Sequence, residues 1–553
     1  MQKRIWMAMA FLALGVGAMA VIPAGGGYLQ GPSPMPDRAA ALVNPEMARV
    51  AAEGSAATFL ADVRVGLGLG DPDLAFEVTG VEVDDLGASH VRYQETYRGL
   101  PVMGHQVIVH VNNGTGGVYS LANRAEAVPS MAVTPSLSER DARGAAKAAF
   151  VFDEGSGKAD AEARLAIYPD CAGYHLAYVV RVSNVLRNSY EPAERVYIVD
   201  ANTGDILETW NDLHTKGKPG GGGGATYTLP VTGTGKTLYS GNVNMGTAQA
   251  SDGSSQFAMI DLGRGSMYTT NMNNRTSGSG TTFTATSNVW GNNTTSNAAT
   301  VGADAHYGAE MTWDFYKQTY GRNGIYNDGK GSYSRVHYGR NYNNAFWSDS
   351  CKCMTYGDGD GRVLSPLTSL DVAGHEMSHG ITAATSKLTY SGQSGGLNES
   401  FSDIMGTGVE YYAATHGASK NWNYLIGEDV YTPSTPNDAL RYMDNPSKDG
   451  ASIDNYSKYT SSLDVHYSSG IWNNMFYLLA HGGTNATSKI SVTGIGIDKA
   501  LAICYYANTN YFSNSETFAQ ARQDCIAAAI QLYGASSTEV TRVGQAWTAV
   551  GVN

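Results

Sequence analysis

Residues 371–380 read DVAGHEMSHG, and the spacing of the two histidines decides what the rest of the chain must build. His375 and His379 stand at i,i+4. On an α-helix that spacing puts both imidazoles on one face, about 6 Å apart along the axis, so one ion can touch both. Glu376 points to a neighbouring side, out of the ligand sphere but within reach of a water held there. Two solvated histidines on a helix surface have the same spacing. A third ligand is needed to tell the two cases apart.

The third ligand is expected from residues 395–406, GGLNESFSDIMG. Glu399 follows His379 by twenty residues, and Asp403 lies at i,i+4 from Glu399 on the same helix face. A catalytic zinc takes three protein ligands and keeps one open position. Glu399 supplies the missing ligand. Asp403 is placed to accept the Nδ1–H of His375 and fix its tautomer, with Asn398 beside it. Either carboxylate alone reads as a solvated helix residue. Both together beside His-Glu-x-x-His do not.

The wider chain fits a secreted, multi-domain protein. Its 553 residues exceed one ordinary domain, and 42% hydrophobic residues suffice for globular cores. A net charge of −13 argues against nucleic-acid binding, which needs a basic surface. Residues 1–20 carry Lys3 and Arg4, an apolar run and then Ala18 and Ala20, the pattern of a signal peptide cleaved after Ala20. A single membrane anchor is the rival, but the run is short and interrupted by glycine. No cysteine follows it to take a lipid.

Five cysteines are present. Cys171 stands alone in the first half. Cys504 and Cys525 are expected to pair. Cys351 and Cys353 look too close for a relaxed bridge, and a lone Cys-x-Cys is a weak metal signal.

The chain divides at HTKGKPGGGGGATYTL, where five consecutive glycines exclude helix and strand. This linker, 213–225, is the expected maturation site. Before it, residues 89–113 read as two strands around a Gly-Leu-Pro turn, with HQVIVHV alternating in and out of a core. SERDARGAAKAAF, 138–150, reads as an amphipathic helix with Ser138 as its cap. A turn at Asn202-Thr203-Gly204 joins two further strands. After the linker, 226–300 reads as twisted antiparallel strands, 303–321 as a helix, and the chain from Asp371 onward as helical. The expected class is α+β: an α+β pro-region, then a β-rich lobe over 226–370 and an α-helical lobe over 371–553.

Beyond the metal motif, the chain resembles the thermolysin family of secreted zinc metalloproteases, on the pseudolysin and vibriolysin side. The resemblance rests on YNNAFW (342–347), MTYGDGDG (354–361), GLNESFSD (396–403), IGEDVYTP (426–433), ALRYMDNP (439–446) and DVHYSSGIWNNMFYLLA (464–480), in the family's order. HVRYQETYRGLPVMGHQVIVHV (90–111) resembles the fungalysin/thermolysin propeptide module, expected over 45–125, and 135–212 resembles a PepSY module.

The resemblance implies zinc-assisted hydrolysis of peptide bonds on the N-terminal side of bulky hydrophobic residues, by a zymogen that processes itself. It implies Glu376 as general base, and Tyr390 and His466 as donors to the oxyanion, with Asp464 orienting His466. It implies Arg441, Asn344 and Ala345 as substrate contacts, and Val372 and Leu440 as lining for an apolar pocket; plain core filling is the other reading of that pair. Structural calcium is implied at Asp371, Glu410, Asn423 and Glu428, and at Tyr431, Thr432 and Asp438. Asn423 stands where the family usually has aspartate, which removes a charge from that site. YGDGDGR begins like an EF-hand, but its twelfth position is Ser369 rather than glutamate, so that reading fails. SDSCKCM (348–354) is longer than the family's segment and could reshape the cleft. The implied partners are protein and peptide substrates and the chain's own propeptide, acting as inhibitor and folding aid. No nucleic-acid or membrane partner is expected after signal removal, and the product is expected to be a monomer. The rival from another class is a catalytically inactive, metal-stabilised extracellular binding protein, which would need neither Glu376 nor the oxyanion donors.

Overall fold

The computed structural model describes residues 27–30, 44–154, 159–170, 172–184, 193–212, 226–349, 351–418 and 421–553. The leader expected over 1–20, the linker over 213–225 and Cys171 lie outside them. The chain forms two compact units, Met1–Thr96 with His105–Ala127, and Tyr97–Gly104 with Val128–Asn553.

The first unit holds β1 (Gly27–Gln30), α1 (Pro45–Val63), β2 (Leu74–Val83), most of β3 (Ala88–Tyr97), the second part of β4 (Leu100–Asn112) and β5 (Val118–Asn123). Asn44 caps α1 by accepting the backbone N–H of Glu46, and Pro45 opens its first turn, where a missing N–H costs nothing. Ala48, Ala52, Ala56 and Leu60 recur every fourth residue and are buried. The expected alternation of HQVIVHV is not what forms, because 105–112 is buried on both faces. The polar residues are accommodated in pairs: His105 Nδ1 lies 2.7 Å from Glu95 Oε2, and His110 Nδ1 lies 2.7 Å from His90 Nδ1. The turn between β3 and β4 falls on Arg98 and Gly99, with φ of 48° and 81°, one position before the expected Gly-Leu-Pro; Leu100 and Pro101 already belong to β4.

In the second unit α2 (Glu139–Glu154) starts after Ser138 and packs on an antiparallel meander, β6 (Asp160–Asp170), β7 (Gly173–Ser183), β8 (Glu194–Asp200) and β9 (Ile206–Asn211). The β-rich lobe follows. One sheet has the order β16 (Thr284–Ala285), β12 (Phe257–Ala258), β11 (Asn242–Ala250), β10 (Tyr227–Lys236), β17 (Val289–Gly291). The other runs β13 (Ile260–Asp261), β14 (Met267–Asn271), β18 (Tyr333–Val336), β20 (Cys353–Tyr356), β19 (Ala345–Ser348), with β15 (Thr281–Thr282) on β14. The sheets are not wholly antiparallel: β10 pairs β17, and β18 pairs β14 and β20, in parallel. α3 (Ala298–Tyr320), capped by Asn297, packs against both sheets and carries the lobe onto the helix of His375 and His379.

That helix is α4 (Leu370–Ala384), and α5 (Gly392–Thr415) crosses it closely. Glycine makes the approach: a Cβ on Gly374 would lie 3.0 Å from Gly406 Cα, and one on Gly406 would lie 2.5 Å from the Asp371 carbonyl oxygen. Side chains there would force the helices apart. A short ribbon, β21 (Leu425–Ile426) with β22 (Arg441–Tyr442), then precedes α6 (Val465–Ser468), α7 (Gly470–Ala480), α8 (Ile497–Tyr506), α9 (Phe518–Tyr533) and α10 (Thr538–Ala549). Their core includes Phe401, Trp472, Phe512 and Trp547, all buried, and a Thr517–Gln520 capping box starts α9. No helix among the described residues is long and apolar enough to cross a membrane.

The cysteine pairing corrects the sequence reading. Cys504 and Cys525 are free, buried thiols, and burial pushes both thiols up from their ordinary value. The bridge joins Cys351 and Cys353, whose Cα atoms come within 5.1 Å because Lys352 between them takes φ +52° and folds the turn back.

Candidate functional site

The α4–α5 crossing brings three donor atoms together. His375 Nε2 lies 3.0 Å from His379 Nε2 and 3.5 Å from Glu399 Oε2; His379 Nε2 lies 3.4 Å from Glu399 Oε1. All three side chains are buried. The other ring nitrogens are spoken for: His375 Nδ1 is 2.8 Å from Asp403 Oδ1 and His379 Nδ1 is 2.8 Å from Asn398 Oδ1. Those contacts aim both Nε2 atoms inward, as metal ligation requires. Arg441 donates to Asp403 through Nε at 2.7 Å and Nη2 at 2.6 Å, and Asn473 Nδ2 adds a bond of 2.8 Å.

The electrostatics follow from burial and proximity. Burial opposes ionisation of Asp403, but the Arg441 charge and the His375 hydrogen bond win and hold its carboxyl below the usual range. Burial would lower His379; the hydrogen bond and charge of Glu399 outweigh it and raise the imidazole to about 9. Burial pushes the Glu376 carboxyl up, against the pull of His375 and His379.

Tyr390 donates its hydroxyl to Glu399 Oε1, and the Tyr390 hydroxyl oxygen lies 3.2 Å from His466 Nε2. Asp464 caps α6 by accepting the His466 backbone N–H at 2.9 Å, and also holds His466 Nδ1 at 2.7 Å. A cavity of about 170 Å³ joins these groups to Asn344, Ala345, Val372, Leu440 and Arg441. Phe346, Trp347, Leu367 and Ile426 complete its wall and were not picked out in the sequence. A larger hollow of about 510 Å³ lies in the β-rich lobe beside Asp261, Arg264 and Glu310. Its charges are matched among themselves, Arg264 bonding Asp261 and Asp314 and Glu310 accepting the Gly246 N–H at 2.7 Å, so the smaller cavity is the one with reactive chemistry.

A second carboxylate group gathers Glu410, Glu428 and Asp429. Asp429 had no signal in the sequence beyond its place beside Glu428. Asn423 donates Nδ2 to Glu428 at 2.8 Å instead of adding a charge. Asp371 accepts from Ser369 Oγ at 2.6 Å and from the N–H of Gly427, the residue before Glu428, at 2.5 Å. In the neighbouring loop Thr432 Oγ1 donates to Asp438 at 2.8 Å, while Tyr431 bridges to Leu364.

A paired-imidazole, carboxylate metal site with a buried glutamate beside it, set between a β-rich and an α-helical lobe, defines a metallopeptidase. Residues 232–383 match the thermolysin metallopeptidase catalytic domain, 386–552 its alpha-helical domain, and 75–122 the fungalysin/thermolysin propeptide motif. The chain belongs to the thermolysin family of metallopeptidases. It is 39% identical over 504 residues to bacillolysin of Bacillus cereus, covering 87% of this chain and 85% of that one. It is 38% identical over 484 residues to thermolysin of Bacillus sp. (strain EA1), covering 86% and 85%. It is 42% identical over 507 residues to the transglutaminase-activating metalloprotease of Streptomyces mobaraensis, covering 89% of this chain but 63% of that longer protein.

Proposed function

We propose that the chain is a secreted zinc endopeptidase, made as a zymogen, that cuts peptide bonds on the N-terminal side of bulky hydrophobic residues. One observation carries the reading: His375, His379 and Glu399 offer three donor atoms within 4.8 Å of one another, with Glu376 next in sequence. The donor set fits zinc, which favours imidazole nitrogen and carboxylate oxygen in a site with one position open. When bound, zinc supplies Lewis acidity to the scissile carbonyl.

The chain's own residues do the rest. Glu376 takes the proton of the attacking water and returns it to the leaving amine. Tyr390 and His466, the latter steadied by Asp464, donate to the carbonyl oxygen as it gains charge. Asn344 and Ala345 pair with an extended substrate backbone by strand addition, and Arg441 binds a substrate carbonyl. Val372 and Leu440, with Leu367 and Ile426, receive the apolar side chain after the scissile bond. Glu410, Glu428 and Asp429 are the carboxylates that would hold a structural calcium ion, a hard cation suited to oxygen ligands. The modules over 45–125 and 135–212 act as inhibitor and folding aid until the linker over 213–225 is cut, and the mature enzyme acts outside the cell as a monomer.

The test is casein hydrolysis by the secreted product. Clearing should vanish with a zinc chelator and return on adding zinc. Clearing that ignores the chelator would overturn the mechanism.

A further inference from the structure

We propose that Asp349, held at the tip of a disulfide-closed hairpin, selects a basic side chain among the substrate residues upstream of the scissile bond. This rests on the endopeptidase reading above.

β19 is the last strand of its sheet, and no strand among the described residues covers its outer edge. Residues 344–347 line the metal cleft, so an added peptide strand would run along them. The direction of that strand follows from α4. Val372 lies in the first turn of α4, and Gly380 lies eight residues on, about 12 Å along the axis. A Cβ on Gly380 would lie 2.8 Å from the Trp347 ring. Trp347 is therefore at the end of the metal helix away from Val372, with His375 and His379 between. With the pocket of Val372 and Leu440 taking the residue after the scissile bond, upstream residues pass Trp347 towards the hairpin.

The hairpin presents one fixed carboxylate there. Ser348 pairs with Cys353, Asp349 and Lys352 lie beyond that pair, and the Cys351–Cys353 bridge ties the end of the hairpin. The Cys351 N–H donates to Ser348 Oγ at 3.3 Å. The Trp347 indole N–H donates to Asp349 Oδ1 at 2.6 Å and ties the carboxylate to the cleft wall. Lys352, the turn's cation, sits over the Tyr326 ring, 4.0 Å from its centroid. Before maturation Asp349 acts on Arg181 of the pro-region strand β7, a guanidinium that Asp212 holds at 2.6 Å and Glu194 at 3.2 Å. Loss of the pro-region removes Arg181, and a basic substrate residue takes over its charge.

The test uses mature enzyme and quenched peptides of one sequence, carrying Arg or Glu at the second, third or fourth residue before the scissile bond. At one of these positions the parent should favour Arg by about fivefold or more in kcat/KM, the size of one partly exposed ion pair, and the preference should appear in KM and shrink in high salt. Asp349→Asn should bring the ratio towards one, and Asp349→Glu should restore it. The double variant Cys351→Ser/Cys353→Ser should lose the ratio as well; a retained ratio overturns the role given to the bridge. A parent ratio near one at all three positions, or an unchanged ratio in Asp349→Asn, overturns the proposal. A parent that cuts none of the peptides overturns the endopeptidase reading, and this one with it.

Discussion

His375 and Asp403 form a buried pair, Nδ1 to Oδ1 at 2.8 Å, and Asp403 is itself clamped by Arg441 through two hydrogen bonds. The aspartate thus leaves His375 Nε2 to face His379 and Glu399. Replacing it by alanine frees the ring to rotate and leaves the Arg441 guanidinium part-buried without its anion. Zinc affinity of Asp403→Ala should fall by ~10–100-fold, read by competition with a chromogenic chelator. Unchanged affinity would show that packing alone orients His375.

Glu376 tests a different link, from site to reaction. Glu376→Gln removes the proposed base while keeping the shape of the side chain. Zinc content should stay at the parent level, and kcat should drop on the order of a thousandfold. If the chain matures itself, this variant should also keep its pro-region, visible as a full-length band and in the N-terminal sequence. Normal processing would assign maturation to another protease.

The candidate metal site was legible because its rule is local. His375, Glu376 and His379 declare themselves by helical period, and Glu399 with Asp403 repeats that period on the next helix. The lobes were legible for the same reason, since α3, α4 and α5 keep helical spacing over long runs. What escaped depended on contacts between distant segments. Trp347 and Leu367 are ordinary apolar residues until α4 packs beside them. The Cys351–Cys353 bridge depends on Lys352 adopting positive φ, which sequence spacing does not announce. The same holds for the buried histidine pair of β3 and β4, where polar residues read as solvent-facing until partners 20 positions apart meet.

The Gly374–Gly406 approach makes the site's geometry sensitive to a single methyl group. In Gly406→Ala the new Cβ would lie 2.5 Å from the Asp371 carbonyl oxygen, a backbone atom that cannot swing aside. Overpacking of this kind costs about 1–3 kcal/mol, and here it separates the helices that carry the histidines and Glu399. The thermal midpoint and the zinc content should fall together. Gly544→Ala in α10, where nothing lies within 4 Å of the added carbon, is the contrast: helix propensity alone should leave stability equal or slightly higher. A harmless Gly406→Ala would mean the helices can part without losing the site.

Glu194 gives the β6–β9 meander a dependence on pH. Arg181 sits between two carboxylates and bonds Asp212 at 2.6 Å, closer than Glu194 at 3.2 Å. Burial is the main cause that pushes the Glu194 carboxyl up to about 8; Arg181 opposes it, and the charge of Asp212 reinforces it. The folded state therefore holds a proton that the unfolded chain gives up near the ordinary carboxylate value of about 4.5. Its stabilising contribution is complete below about 4.5 and is lost progressively as the pH rises to about 8. Amide hydrogen exchange of β6–β9 in the Glu376→Gln zymogen, followed in urea as the pH is raised, should show the strand meander weakening across that window. Glu194→Gln should flatten the slope there. Equal slopes in the two proteins would mean that Glu194 is ionised in the folded chain and that Arg181 serves both carboxylates.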